Sequence, residues 1–313
     1  MSPTFSVVIP THDRVELLGQ VLDALDAQRE PPPFEMVVID DGSRDGTRAF
    51  MEARLAARPP GAAPLTFRSQ PNGGPSRARN HGVGLATGRY VVFIGDDTVP
   101  EPGFLAEHAR AHRDDGSDRW LAVLGYTGWP IEWRVSAFMD FVNEYGLQFG
   151  YGLIDHDALV SHHFFYTSNI SLDRQLLVEH PFDVGFPAAA WEDVELAYRL
   201  AGLGLKIRYN ARAITRHHHR MTVESFARRQ YAVGKSGAIL AARHPELAPA
   251  LGLERLARHR FADDARLAAM RRRAELGERF RLLPSQRAFR KLMGEHYLRG
   301  LRDGLAEAAG GAR

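Results

Sequence analysis

The chain has 313 residues, of which 44% are hydrophobic and 25% charged. These proportions are typical of a folded globular protein and exclude collagen-like, coiled-coil and wholly disordered chains. The absence of cysteine excludes disulfides, a thiol nucleophile and cysteine-ligated zinc. No apolar run approaches the roughly 18 residues that span a bilayer, and the N-terminal stretch, interrupted at Pro10, lacks the charged leader of a signal peptide. We therefore expect a cytoplasmic protein, bound at most to the inner face of a membrane.

Charge is distributed unevenly, although the net charge is only +2. Residues 201–313 hold 24 basic and 10 acidic side chains, a balance of +14, whereas the first 200 residues hold 16 basic and 28 acidic ones, a balance of −12. Such asymmetry indicates two parts with different roles. An acidic part suits a cation site, and a basic part suits a phosphate, an anionic acceptor or an anionic lipid surface.

The first hundred residues alternate between strand and helix patterns. Short apolar runs predict strands at 5–9, 36–39, 65–67 and 90–94. Apolar residues at helical spacing predict helices between them, at about 15–28, 45–58 and 76–86. Strands that alternate with helices form βαβ units, so we expect an α/β fold with a mostly parallel sheet. The clearest later helix patterns cover 191–203, 223–242 and a stretch that begins near 285.

Polar residues follow three of the predicted strands. Ligands of open α/β sheets bind beyond the carboxyl ends of the strands, which selects residues 10–14, 40–43 and 96–97. Asp96 and Asp97 repel one another unless a cation neutralises them, so this pair predicts a divalent metal site. Adjacent aspartates after a strand are equally typical of a solvated turn, and segment 40–43 alone is more typical of a turn and helix cap.

Several motifs, in their order along the chain, resemble those of glycosyltransferase family 2. They are Val-Val-Ile-Pro-Thr-His-Asp-Arg (7–14), Val-Val-Ile-Asp-Asp-Gly-Ser (37–43), Gly-Gly-Pro-Ser-Arg-Ala-Arg-Asn (73–80), Phe-Ile-Gly-Asp-Asp (93–97), Thr-Ser-Asn-Ile-Ser-Leu (167–172), Trp-Glu-Asp-Val-Glu-Leu-Ala-Tyr-Arg-Leu (191–200) and the histidines at 217–219. The resemblance covers about residues 4–240. It implies a GT-A fold, in which a Rossmann-like, mostly parallel nucleotide-binding sheet is flanked by helices, here with a helical C-terminal extension.

The resemblance also implies an activity and a division of the chain. The enzyme would transfer a sugar, with inversion, from a UDP-, GDP- or dTDP-sugar to an acceptor hydroxyl, as in cell-envelope or polysaccharide biosynthesis. Residues 1–220 would form the catalytic domain, with a nucleotide-binding half at about 1–115 and an acceptor-binding half at about 116–220. Residues 221–313 would form a basic helical region.

Family likeness assigns seven residues to the donor. The nucleoside would contact Pro10, Thr11, Asp41 and Asp40, because carboxylates accept hydrogen bonds from a base or ribose. Guanidinium groups donate to phosphate oxygens, so the diphosphate would contact Arg14 and Arg79, although a surface ion pair is as plausible for each. Asp96 would lie against the ribose or the water shell of the metal.

The metal would be held by Asp97, which matches the last carboxylate of the family's Asp-X-Asp motif, and by His217. Gly95 stands where that motif has its first aspartate, which puts the strength of metal binding in doubt. Imidazole together with carboxylate and diphosphate oxygens suits Mn²⁺, with Mg²⁺ as the alternative. His218 is the next candidate, and a solvated strand end is the simpler interpretation of these histidines.

Asp193 is the expected general base, which removes the proton of the acceptor hydroxyl. The family's Glu-Asp motif places it at a helix start, where the backbone dipole favours the ionised carboxylate. Glu192 and Trp191 would lie on the acceptor side. Helix capping by Glu192 and Asp193, and core packing of Trp191, are the simpler interpretations.

Other functions are compatible with parts of this pattern. A sugar-1-phosphate nucleotidyltransferase would carry a glycine-rich loop after the first strand, which this chain lacks. A non-catalytic nucleotide-sugar-binding or scaffold protein remains open because of Gly95. The acceptor could be a saccharide, a lipid-linked sugar, a protein or a small molecule, and no nucleic acid is expected. The basic C-terminal helices could contact an anionic membrane or a second subunit.

Overall fold

The computed structural model describes residues 3–280 and 285–310. In this part of the chain, one mixed sheet contains the strands β1 (Phe5–Thr11), β2 (Phe34–Asp40), β3 (Leu65–Ser69), β4 (Tyr90–Ile94), β5 (Thr98–Pro100), β6 (Leu121–Gly128), β7 (Leu159–Val160), β8 (Asn169–Asp173) and β9 (Lys206–His217). The α-helices are α1 (Val15–Asp26), α2 (Thr47–Ala56), α3 (Pro75–Leu85), α4 (Phe104–Asp114), α5 (Ala137–Glu144), α6 (Arg174–Glu179), α7 (Glu192–Gly202), α8 (Val223–Arg243), α9 (Leu253–Arg258), α10 (Asp264–Phe280) and α11 (Ser285–Gly310). The strands and helices predicted over the first hundred residues are all present, with ends that differ by at most two residues.

The sheet has the order β3-β2-β1-β4-β8-β6-β9-β5, and β7 pairs with β9. Strands β3, β2, β1 and β4 are parallel, as predicted. The antiparallel strand β8 separates β4 from β6, so the second half of the sheet is mixed. Since β2, β1 and β4 are adjacent and parallel, their carboxyl ends meet at one edge.

Burial explains why the central strands appear in the sequence as continuous apolar runs. Every residue of β2 is buried, as expected for a parallel strand that is covered on both faces. The apolar face of α1, with Leu18, Leu22 and Leu25, packs in the same cluster as Val7 and Ile9 of β1. This packing fixes the ends of the strands from which the candidate site residues project.

The chain forms two compact units. The first comprises Met1–Trp133, Tyr151–Val184 and Glu192–His219, and the second comprises Arg134–Gly150, Gly185–Trp191 and Arg220–Arg313. The second unit therefore takes in 134–150 and 185–191, which the sequence analysis placed within 116–220. The functional division into nucleotide-binding and acceptor-binding halves stays a prediction.

The second unit contains α5 and the helices from α8 onward, so its C-terminal part is helical, as predicted. Helices α8 and α11 approach so closely that a Cβ atom at Gly234 would overlap the carbonyl of Tyr297, and one at Gly300 would overlap the carbonyl of Tyr231. Glycine at both crossing points therefore permits this packing. Among the described helices, none combines the length and apolarity needed to cross a bilayer.

Candidate active site

The side chain of Asp96 is hydrogen-bonded to residues at the end of β1. The hydroxyl of Thr11, the last residue of β1, donates a hydrogen bond to Asp96 Oδ2 over 2.8 Å, and the backbone N–H of His12 donates to the same oxygen over 3.3 Å. Thr11 and Asp96 are both buried. The parallel pairing of β1 with β4 thus brings together two segments that are 85 residues apart in sequence.

Arg14 binds both adjacent aspartates. Its Nη1 lies 3.0 Å from Asp96 Oδ1 and 2.5 Å from Asp97 Oδ2. The side chain of Arg14 is 39% exposed, whereas those of Asp96 and Asp97 are nearly covered. The guanidinium therefore compensates the repulsion of the two carboxylates and presents the rest of its surface to solvent, which leaves donors available to an anionic ligand.

His217 lies beside Asp97 because β9 pairs with β5. Thr98 is opposite His217 in this antiparallel pair, and the backbone N–H of His218 donates to the carbonyl of Asp97 over 2.7 Å. His217 Nε2 is 3.4 Å from Asp97 Oδ2, and both residues are buried. This environment differs from the solvated strand end that was the simpler interpretation of the histidines.

The neighbouring carboxylates have opposite pKa shifts. Burial tends to raise the pKa of Asp97, but the charge and hydrogen bond of His217 and the charges of Arg14 and His219 outweigh it, so the pKa lies well below its ordinary value. Burial and the charge of Asp97 raise the pKa of Asp96, and Arg14 and Thr11 only partly offset them. Asp97 is therefore the more readily ionised carboxyl group of the pair.

The donor atoms near Asp97 suit a divalent cation in part. Within 3–280 and 285–310, no group of three or more His, Cys, Asp or Glu side chains converges as a metal site. Asp97 Oδ2 and His217 Nε2 supply two ligand atoms at 3.4 Å, close to the roughly 3 Å that separates neighbouring ligands about 2 Å from one ion. The residues therefore fit an ion that takes its other ligands from substrate or water.

Close packing explains why position 95 holds glycine and not a larger residue. A Cβ atom there would lie 2.8 Å from Asp97 Oδ1 and 3.4 Å from the hydroxyl of Thr98. The Thr98 hydroxyl also accepts from the Gly95 N–H over 2.7 Å, which closes a tight turn. A larger residue at 95 would displace Asp97.

Asp40 and Asp41, at the end of β2, accept hydrogen bonds from neighbouring residues. Asp41 accepts hydrogen bonds from the backbone N–H groups of Gly73 and Gly74 over 2.9 and 2.8 Å. Asp40 accepts from the Ser43 backbone and the Ser69 hydroxyl over 2.8 and 2.6 Å. These contacts hold the loops that surround the strand ends.

Pro10 lies on β1 opposite Ile39 of β2, at the same sheet edge. The sequence analysis therefore selected residues that the structure places together around the ends of β1, β2 and β4.

Arg79 is paired with Glu192 in the interior. Its Nη1 donates to Glu192 Oε1 over 2.8 Å, and the two residues are only 8% and 1% exposed. Among the described residues, no hydrogen-bond partner lies near Arg79 Nε, Glu192 Oε2 or the hydroxyl of Ser76. Arg79 was expected at the donor phosphates and Glu192 on the acceptor side, whereas the structure joins them to each other.

Asp193 follows Glu192 in the first turn of α7, and it is partly exposed. Burial of its carboxyl group and the adjacent charge of Glu192 raise its pKa to about 7, and the charge of Arg79 offsets only part of this. The helix start was expected to favour the ionised form. Desolvation and Glu192 outweigh that effect, because both act directly on the carboxyl group.

Trp191 belongs to the second unit. Its indole N–H donates to the carbonyl of Val233 over 2.9 Å, and the ring packs in an apolar cluster with Phe186 and Leu240. Its φ of 72° is unusual for a bulky residue and marks a constrained backbone directly before Glu192. These contacts correspond to the core-packing interpretation of Trp191.

Trp129 is a residue that the sequence analysis missed. It follows β6 directly, and its ring lies nearly parallel to that of His217, with centroids 5.5 Å apart and an angle of 12°. The parallel register of β6 and β9 places Gly128 opposite Arg216, one residue before each ring. The rule that ligands bind beyond the carboxyl ends of strands selected residues after β1, β2 and β4. Applied to β6, the same rule would have selected Trp129, which follows that strand directly.

Comparison with known proteins identifies the family. The model of the family described as "Glycosyl transferase family 2" matches residues 6–178, more than half of the chain. Validoxylamine A glucosyltransferase from Streptomyces hygroscopicus subsp. limoneus is 29% identical over 227 residues, which is 65% of this chain and 49% of that protein. An uncharacterized glycosyltransferase of Bacillus subtilis, YfnE, is 32% identical over 121 residues, 38% of this chain and 29% of its own length. The matches thus span half or less of these relatives.

Solved structures show the same fold. The mannosyltransferase PcManGT from Pyrobaculum calidifontis, in complex with GDP-Man and Mn²⁺, superposes with a TM-score of 0.64 at 19% identity and covers 98% of this chain and 88% of that one. TarS from S. aureus, in complex with UDP, gives a TM-score of 0.54 at 17% identity over 98% and 92% of the two chains. These findings confirm the predicted GT-A fold and, at the level of the family, the predicted class of enzyme. The chain belongs to glycosyl transferase family 2.

Proposed function

We propose that this protein transfers a sugar from a nucleotide-diphosphate donor to an acceptor hydroxyl with inversion, with Asp193 as general base and a divalent cation held by Asp97 and His217. The observation that carries this proposal is the group formed by Arg14, Asp96, Asp97 and His217 at the strand ends of a family 2 chain. It combines a partly exposed cation for phosphate with two ligand atoms for a metal.

The donor binds at the edge formed by β2, β1 and β4. Arg14 donates to the diphosphate, because its outer face is open to solvent. The nucleoside lies near Pro10, Thr11, Asp40 and Asp41. Asp41 already accepts three hydrogen bonds, which leaves about one further site on its carboxylate. When bound, the cation supplies positive charge to the leaving diphosphate.

Transfer is a single displacement at the anomeric carbon. The acceptor oxygen forms a bond to this carbon while the bond to the diphosphate oxygen breaks, and the electron pair leaves with the diphosphate. The acceptor proton moves to the carboxylate of Asp193. A base whose pKa lies near 7 combines a useful ionised fraction with proton affinity at neutral pH. Arg79 and Glu192 position Asp193, since their ion pair fixes the first turn of α7.

The solved relatives support a nucleotide-sugar donor and a metal, because one is a complex with GDP-Man and Mn²⁺ and another is a complex with UDP. We propose Mn²⁺ as the preferred ion and Mg²⁺ as the alternative, on account of the imidazole of His217.

A panel of nucleotides tests this function. The midpoint of thermal unfolding is measured with UDP, GDP or dTDP, with and without Mn²⁺, on wild type and Asp97→Asn. We expect one nucleotide to raise the midpoint, more strongly with Mn²⁺, and the additional effect of Mn²⁺ to disappear in Asp97→Asn. If no nucleotide acts, the donor site is wrong. If one binds but its sugar conjugates are neither hydrolysed nor transferred, the non-catalytic alternative is correct.

We propose in addition that the second unit contacts an anionic membrane surface. Helix α10 exposes Arg266, Arg272 and Arg273, and each basic side chain near such a surface contributes about 1 kcal/mol. Flotation with vesicles that contain phosphatidylserine at moderate salt is expected to recover the protein, and less of the triple glutamine variant. Recovery that is independent of these arginines, or no recovery, contradicts the proposal, and a dimer in solution would then favour the subunit alternative.

A further inference from the structure

The ring of His217 is held by aromatic neighbours rather than by its ion pair alone. Trp129 lies nearly parallel to it, with a centroid distance of 5.5 Å and an angle of 12°, and His219 lies nearly parallel at 5.7 Å and 18°. Nearly parallel neighbouring rings oppose rotation of the imidazole about its Cβ–Cγ bond, because that rotation would turn the edges of the ring toward them. The edge that bears Nε2 is directed to Asp97 Oδ2, at 3.4 Å.

The backbone fixes Trp129 and His217 in one place. Strands β6 and β9 pair in parallel up to Gly128 and Arg216, so the two rings emerge from adjacent strand ends. The guanidinium of Arg216 bridges these ends, because it donates to the carbonyl of Trp129 and to the carboxylate of Glu101. Trp129 is 8% and His217 7% exposed, so this pair of rings lies in the protein interior, whereas His219 is exposed.

Stacking, and not a hydrogen bond, sets the orientation of Trp129. Its Nε1 is buried and has no hydrogen-bond partner among the residues that the structure describes. Another aromatic ring of similar width can therefore replace the indole, whereas a small side chain leaves a space into which the imidazole of His217 can tilt. A tilt would move Nε2 away from the line to Asp97.

We propose that Trp129 is a positioning residue for the divalent cation, which aligns His217 so that its Nε2 and Asp97 Oδ2 bind the same ion. This inference rests on the proposed function, since it presupposes that His217 is a ligand. Residues that orient metal ligands typically change metal affinity by about 10- to 100-fold when they are removed. The effect of Trp129 is expected in that range.

Binding of Mn²⁺ alone tests this role without an assay of activity. The electron paramagnetic resonance signal of free Mn²⁺ is followed while wild type, His217→Ala, Trp129→Ala and Trp129→Phe are titrated. We expect His217→Ala and Trp129→Ala to weaken binding by at least about tenfold, and Trp129→Phe to stay within about threefold of wild type. Trp133→Ala is the matched control, because that indole meets His218 at 64° instead of stacking in parallel.

Tryptophan emission provides a second measurement that does not require Trp129→Ala to fold. Paramagnetic Mn²⁺ bound at His217 quenches neighbouring indoles, so Trp133→Phe should keep most of the wild-type quenching, whereas Trp129→Phe should lose the larger part of it. If His217→Ala weakens Mn²⁺ binding but Trp129→Ala does not, or if Trp129→Phe is quenched as strongly as wild type, the role of Trp129 is wrong. If wild type binds Mn²⁺ neither alone nor together with the nucleotide that stabilises it, or if His217→Ala binds Mn²⁺ normally, the metal site of the proposed function is wrong.

Discussion

Two pairs of adjacent carboxylates, Asp96-Asp97 and Glu192-Asp193, differ in their electrostatics. Asp97, beside Asp96, has a lowered pKa, because His217 and Arg14 contact it directly. Asp193, beside Glu192, has a raised pKa, because burial and the charge of Glu192 outweigh the charge of Arg79, which is hydrogen-bonded to Glu192. Contact with cationic groups outweighs burial at Asp97 and favours its ionised form, whereas burial beside Glu192 allows Asp193 to take up a proton near neutrality. This difference supports the proposed metal-binding role of the first pair and the proposed proton-accepting role of the second.

Removal of the proposed base should have the largest effect on activity. Asp193→Asn is expected to lower the rate of transfer by about 10²- to 10⁴-fold, because no carboxylate then accepts the acceptor proton. Nucleotide affinity should stay within about twofold, since Asp193 does not contact the donor in the proposed function. Glu195→Gln serves as the control, because it removes a carboxylate from the same turn of α7. A transfer rate of Asp193→Asn close to that of wild type would mean that another residue is the general base.

A stability measurement tests the ion pair between Arg79 and Glu192, the first residue of the second acidic pair. Arg79→Ala leaves Glu192 buried without its cation, so the free energy of unfolding should fall by about 3–5 kcal/mol in urea titrations. Replacement of both residues, as Arg79→Met with Glu192→Leu, should recover much of this loss, because no buried charge is then unpaired. A loss below about 1 kcal/mol in Arg79→Ala would mean that Glu192 reaches solvent.

Metal affinity distinguishes the two pairs from each other. Asp97→Asn should weaken Mn²⁺ binding by at least about tenfold, whereas Asp193→Asn should leave it unchanged. Calorimetric titration of both variants measures the two affinities. Equal effects of the two substitutions would contradict the separate roles.

Stability as a function of pH tests the raised pKa of Asp193 without a substrate. The pKa of Asp193 is higher in the folded than in the unfolded chain, so its ionisation destabilises the fold above pH 4 and does so fully above about pH 7. Asp193→Asn should therefore unfold at a higher temperature than wild type at pH 8, and the difference should shrink as the pH falls toward 4. A difference of the opposite sign would mean that the pKa of Asp193 is lowered.

Much of the first pair could be predicted from the sequence. The apolar runs before Pro10 and Asp96 identified strands, and the geometry of parallel sheets then placed Thr11, Asp40 and Asp96 at one edge. The resemblance to family 2 added His217, whose position depends on the pairing of β5 with β9.

The second pair depends on contacts that no local pattern encodes. Arg79 and Glu192 are 113 residues apart, and either could have bound substrate. The raised pKa of Asp193 follows from this pairing and from burial, so the sequence indicated only the helix-start effect, which has the opposite sign. Trp129 was missed for the same reason, since its partner His217 comes from a strand almost 90 residues later.

The pH dependence of kcat/KM, measured on wild type and Glu192→Gln, tests the assignment of Asp193 most directly. In wild type, kcat/KM should fall with a slope of one as the pH decreases through about 7, because Asp193 becomes protonated. Glu192→Gln removes the adjacent negative charge and releases Arg79, so the fall of kcat/KM, the acidic limb of the pH profile, should move to lower pH. A wild-type limb near the ordinary aspartate value of about 4, or a limb that Glu192→Gln does not move, would contradict the role of Asp193.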